Sequence, residues 1–162
     1  MVTVRKAVPA DGAVLADIMV RSFRAAFDGL ISAETTDRCA DLSNCTAMLT
    51  QVCETPQIHS YLALLDGAPC GELFWQEGEP AELIALHSLP DVWGRDVGAA
   101  LLERALVDMA VSGVKRMRLW AFRENRRARR FYEKHGLIAT GEERISQFDG
   151  AVEVCYEKEL RS

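Results

Sequence analysis

The sequence has little of what marks several common protein classes. No apolar run approaches the length of a membrane-spanning helix. The opening stretch, MVTVRKAVPADGA, lacks the apolar core of a secretory signal, so a cytoplasmic protein without membrane contact is expected. Five cysteines, Cys39, Cys45, Cys53, Cys70 and Cys155, form no CxxC pair, and none of the three histidines stands at a metal-ligand spacing from them. Buried free thiols and no metal site are therefore expected. Repeats, low-complexity tracts and linkers are also missing, which points to a single domain over residues 1–162. What is present, 49% hydrophobic and 27% charged residues, suits one soluble core.

The net charge of −5 conceals an uneven distribution. Residues 115–135 hold nine Lys or Arg against two acids, leaving the remainder strongly acidic. A basic stretch fits nucleic acid, a phosphate-bearing small ligand or a merely solvated helix face. The arginines interleave with a helical stripe and carry no nucleic-acid motif, which favours the small ligand over nucleic acid. The acidic remainder suits a cationic substrate.

Periodicity gives the element order. Residues 2–7 read as a strand. Asp11 can cap a helix with Val14, Leu15, Ile18, Met19, Phe23, Ala26 and Phe27 on one face, and Gly29 breaks it. Ser32 can cap a second helix running to about Cys53. Strands over 58–65 and 69–76 are joined at Asp66-Gly67, a hairpin signal, and a third covers 82–89. A helix over 96–112, a strand over 115–121 and a helix over 125–135 follow. A last hairpin turns at Asp149-Gly150. The pattern predicts an α/β fold: a mixed sheet, helices on both faces, and strands 82–89 and 115–121 parallel through a helical crossover.

The turn Trp93-Gly94-Arg95-Asp96-Val97-Gly98 joins a strand to a helix. N–H groups at a helix start are unpaired and partly positive, and glycines admit a ligand to the backbone, so such a turn suits phosphate. It matches neither a Walker A loop nor a dinucleotide fingerprint. The stretch Leu86 to Gly98 resembles the strand-turn-helix of the GNAT N-acetyltransferase superfamily, whose turn reads Gln or Arg, two variable residues, Gly, one variable residue, then Gly or Ala. Asn125-x-x-Ala128-x-x-Phe131-Tyr132-Glu133-Lys134-x-Gly136-Leu137 is similar to that family's second signature. In this chain Trp93 stands at the Gln or Arg place and Asp96 at the glycine place. Asp96 is expected to cap the helix or to tolerate a left-handed backbone, and its charge to oppose a pyrophosphate.

The resemblance implies a mostly antiparallel sheet whose central parallel pair is splayed for acyl-CoA. It implies acetyl transfer from acetyl-CoA to the amine of a small molecule or protein by direct attack, with acetyl-CoA as co-substrate. Leu86, His87 and Ser88 would meet the pantetheine arm, and Gly94, Arg95, Asp96, Val97, Gly98 and Ala99 the pyrophosphate. Asn125 would contact the arm, or simply cap its helix. Tyr132 would protonate the leaving thiolate and Glu82 would take the amine's proton. By position alone, Tyr132 is a core residue and Glu82 a solvent-facing strand end. His87 could be a base, a substrate contact or a structural histidine. A CoA-binding or sensing module without turnover is the alternative, and a homodimer stays open. The acceptor would enter beside the first two helices, around residues 23–31.

Overall fold

The computed structural model describes residues 1–160; the expected domain ends two residues later, outside the described part. Seven strands form one sheet in the order β1-β2-β3-β4-β5-β7-β6. They are β1 Val2–Lys6, β2 Ile58–Leu65, β3 Ala68–Gln76, β4 Ala81–Ser88, β5 Arg116–Phe122, β6 Ile138–Ile145 and β7 Val152–Glu159. All neighbours are antiparallel except β4 and β5, which α4, Val97–Val111, joins by a parallel crossover. The expected mixed sheet is therefore the observed one. The Asp66-Gly67 turn carries left-handed φ values of 51° and 86°, as a two-residue hairpin demands.

The parallel pair is short. Only Ala81↔Met117 and Glu82↔Arg118 pair across it, although both strands continue. A register shift at Phe74/Trp75 leaves Ile84 of β4 without a partner on β3. β5 then pairs along its whole length with β7, so the sheet parts only between the far halves of β4 and β5.

Helix α1, Gly12–Phe27, packs with α3, Leu42–Glu54, on one face. Helices α4 and α5, Arg126–Lys134, cover the other. The predicted helix from Ser32 to Cys53 is two helices, α2 Ala33–Cys39 and α3. Ala40 leaves helical geometry, and the Asp41 carboxylate accepts the Asn44 N–H at 2.9 Å, starting a new helix. Ser32 caps α2 as expected, accepting the Thr35 N–H at 3.1 Å. Asp149, in the β6–β7 turn, accepts the Ser32 N–H at 2.6 Å and bonds the Thr35 hydroxyl, pinning that turn to the start of α2.

The core fills the space between these layers with Leu15, Ile18, Leu62, Leu73, Trp75, Leu101, Met109 and Leu119, all nearly solvent-free. One glycine sets how closely α4 approaches. A Cβ on Gly71 would lie 2.7 Å from Val97 Cγ1, 3.0 Å from Leu101 Cδ1 and 3.1 Å from the His87 carbonyl oxygen. We predict that Gly71→Ala, by forcing the first turn of α4 off the sheet, costs about 1–3 kcal/mol in urea unfolding. An unchanged midpoint would show that α4 is not held by this contact.

Candidate functional site

The missing rungs between β4 and β5 open onto a cleft of about 480 Å³. Its walls are the end of β4, Ser22 and Ala26 of α1, the first turn of α4 and one face of α5. The backbone at its edge can be assigned from one hydrogen bond. The Leu89 N–H donates to the Cys70 carbonyl of β3 at 2.9 Å. Alternation then turns the backbone of His87 toward β3, and that of Leu86 and Ser88 toward the gap.

Leu86 and Ser88 were both expected to meet the pantetheine arm, whose amides need free backbone groups. The structure corrects half of this for Ser88. Its carbonyl accepts the Ser22 hydroxyl at 3.1 Å and the Trp93 indole N–H at 3.0 Å. Leu86, both groups, and the Ser88 N–H remain directed at the gap. Leu86, His87 and Ser88 all line the cleft.

A 3₁₀ turn, Pro90–Val92, leads into Trp93 and the start of α4. Ala100 is bonded back to the Asp96 carbonyl at 3.0 Å, so the N–H groups of Val97, Gly98 and Ala99 precede the helical ladder. These three residues line the cleft with Gly94 and Asp96. Arg95 is exposed and does not; its charge is felt by Asp66 instead. The capping role expected of Asp96 is not found. Its φ of 65° is left-handed and its side chain makes no cap hydrogen bond. The backbone must reverse there between a turn and a helix, and Asp occupies the glycine conformation at a steric cost. Gly98 has a packing reason as well: its missing Cβ would stand 3.3 Å from the Phe131 ring.

Helix α5 brings the second signature to the opposite wall. Asn125 caps it, accepting the Ala128 N–H at 3.2 Å, and is not among the residues lining the cleft. Tyr132 lines the cleft while only 8% exposed. Burial pushes its phenol up to about 12, against the opposing pull of Arg127, so it keeps its proton at neutral pH. The hydroxyl has no hydrogen-bond partner among the described residues. Arg127 lies 3.6 Å above the Trp93 ring, a cation–π contact that explains what the tryptophan does in this turn. Burial holds the Arg127 guanidinium below its ordinary value. Arg127, Arg130 and Lys134 give the cleft its positive side, whereas Arg129 turns away to bond the Tyr156 hydroxyl at 2.9 Å.

Glu82 is not brought to this cleft. It lies at the paired end of β4, with its carboxylate 3.7 Å from Arg118 Nε and about a third exposed. Where the acceptor was expected, Phe23, Phe27, Ile31, Phe122 and Phe148 form a small aromatic cluster between the end of α1 and the β6–β7 turn. Sequence reasoning missed Ser22, the Trp93–Arg127 pair and Glu72, whose Oε2 lies 2.9 Å from His87 Nδ1. Glu72 did carry a signal: it is the lone charge in the strand 69–76. Among the described residues no group of three or more His, Cys, Asp or Glu is placed to hold a metal ion.

A profile of the Acetyltransferase (GNAT) family matches residues 18–137. The chain belongs to that family. An N-acetyltransferase of Mycobacterium bovis, itself uncharacterised, is 29% identical over 133 residues, covering 81% of this chain and 85% of that protein. The PaiA N-acetyltransferase of Thermoplasma acidophilum, solved with coenzyme A, superposes with a TM-score of 0.84 at 22% identity, over 99% of each chain. YncA of Salmonella typhimurium, solved with acetyl-CoA, gives 0.76 at 17% identity, over 100% of this chain and 95% of that one. At such identities these two structures speak to the GNAT fold alone.

Because Asp96 is left-handed and caps nothing, Asp96→Gly should raise the melting temperature, by up to about 1 kcal/mol of stability, while Asp96→Ala should lower it. A lower melting temperature in both variants would restore the capping role.

Proposed function

We propose that this chain is an acyl-CoA-dependent N-acetyltransferase that moves an acetyl group from acetyl-CoA to a primary amine by direct attack. The observation that carries the reading is the gap between β4 and β5. It leaves the backbone of Leu86 unpaired in a cleft that the first turn of α4 and Tyr132 also line. A pantetheine arm carries amides that need a donor and an acceptor, and Leu86 offers both. A pyrophosphate needs N–H groups and cations, offered by Val97, Gly98, Ala99, Arg127 and Arg130. The residues present therefore fit the donor. When bound, acetyl-CoA supplies the acyl group as a thioester, already activated toward an amine.

The chain's own groups then divide the work. A backbone N–H at the gap polarises a carbonyl held against it. Tyr132, protonated and without another partner, donates to the departing sulfur. The aromatic cluster around Phe27 and Phe122 borders the acceptor side and limits water there. Glu82, four residues along β4 from Leu86, is about 13 Å away along the strand, so it reaches an amine at the gap only through a chain of water molecules. A cationic amine, on a small molecule or a protein, suits the acidic remainder of the chain. The five free thiols fit a reducing, cytoplasmic setting. No helix is long and apolar enough to cross a membrane.

A second reading, CoA sensing without turnover, is favoured by one observation: Asp96 places an exposed negative charge beside the phosphate site. Incubation with acetyl-CoA and a panel of amines, followed by free-thiol release, separates the two. Amine-dependent thiol release supports the enzyme; tight CoA binding with none supports the sensor.

Tyr132→Phe is expected to lower kcat on the order of 100-fold and to leave CoA affinity within about twofold, since the hydroxyl is needed mainly as the thiolate leaves. A parallel loss of stability and activity would mark it as a packing residue only. Asp96→Gly should tighten CoA binding at low salt, with the gain fading at high salt. Equal affinity at low salt would mean that the carboxylate points away from the phosphates.

A further inference from the structure

Glu72 is a carboxylate with no solvent exposure, in the middle of β3. Gly71 beside it faces α4, so alternation points Glu72 to the other face, under α1 and α3. Burial pushes the Glu72 carboxyl above the usual carboxylate range, and the hydrogen bond and charge of His87 oppose that rise. One oxygen, Oε1, has no partner among the described residues. The other lies 2.9 Å from Nδ1 of His87, directly across the β3–β4 pair. His87 lines the cleft and keeps 12% of its side chain exposed. Its Nε2 makes no hydrogen bond among the described residues. A buried carboxylate is costly unless something requires it. Neither folding nor the donor-binding elements make use of this one.

We infer that His87, oriented by Glu72, is the group that takes the proton of the acceptor amine; this rests on the acetyltransferase reading above. Glu72 is the positioning residue. By accepting Nδ1–H it leaves Nε2, the other ring nitrogen of a residue that lines the cleft, as the bare lone pair. An alkylamine arrives as an ammonium, with a pKa near 10.4. It passes one proton to Nε2, giving an imidazolium paired with Glu72. The freed lone pair forms the C–N bond as the thioester C–S bond breaks. The amine's second proton ends on the departing sulfur, with Tyr132 as the local donor. The imidazolium then returns its proton to water at the cleft mouth. Residue 87 adjoins Leu86, whose backbone faces the thioester site, so this base is nearer than Glu82.

Two measurements test this. The first needs no turnover. Imidazole ¹⁵N shifts at neutral pH should show His87 protonated on Nδ1 with Nε2 bare, and Glu72→Gln should abolish that preference. A proton on Nε2, with Glu72 itself neutral, would overturn the assignment. The second compares acceptors. His87→Asn keeps a donor toward Glu72 and removes the base. It should lower kcat on the order of 100-fold with an alkylamine and less than about fivefold with an arylamine, which is uncharged at neutral pH. Glu72→Gln should show the same selective loss to a smaller degree. Equal losses with both acceptors would mean a structural role only. If Glu82→Gln instead shows the selective loss, the base is Glu82 and the inference falls while the acetyltransferase reading stands. If the wild-type protein binds acetyl-CoA but acetylates no amine, the reading and the inference fall together. Melting temperature and CoA affinity of each variant exclude misfolding as the cause.

Discussion

Everything at this site depends on the sheet losing its pairing between β4 and β5 after two rungs. Unpaired strand backbone is expensive when buried, so a fold that parts its own central strands needs support on both sides of the gap. On the β4 side the strand is already shifted at Ile84, and the Ser88 carbonyl is satisfied by Ser22 and Trp93 rather than by a strand. On the β5 side the strand keeps its ladder with β7 throughout. Helix α5 stands beside the opening and fills part of it with Tyr132 and Phe131. The gap thus keeps the Leu86 donor and acceptor unspent.

The same support explains the unusual turn. Trp93 ties β4 to the turn through its indole N–H and carries Arg127 on its face. A cation thereby reaches the turn from α5 instead of from the turn's own first residue. Asp96, the residue that departs most from the family's pattern, lines the same cleft. The left-handed Asp96 is a local cost accepted where the chain must reverse, and such strained positions gather at binding sites.

Much of the fold was legible because it is written in local patterns. The Asp66-Gly67 and Asp149-Gly150 turns sit where those dipeptides stand, and α1, α4 and α5 follow their apolar stripes. The split between α2 and α3 was also local, signalled by Asp41 before Leu42, but with no Gly or Pro between Ser32 and Cys53 the segment read as one helix. Of the cleft, the turn before α4 and Tyr132 were readable as lining residues because motifs carry them. The links Glu72–His87, Ser22–Ser88 and Arg127–Trp93 were not, because each joins residues brought together only by the sheet and its crossovers. For Asp96 the sequence left two readings, a cap or a left-handed backbone, and only the backbone angle of 65° decides for the second.

The central claim is that the open edge of β4 and the free N–H groups of α4 form one acyl-CoA site. Backbone amide NMR during an acetyl-CoA titration tests it most directly. The amides of Leu86, Ser88, Val97, Gly98 and Ala99 should shift together along one saturation curve, while Arg116 and Leu160, at the far end of the sheet, stay still. Saturable shifts confined to other residues, with Leu86 and Val97 unmoved, would contradict the account.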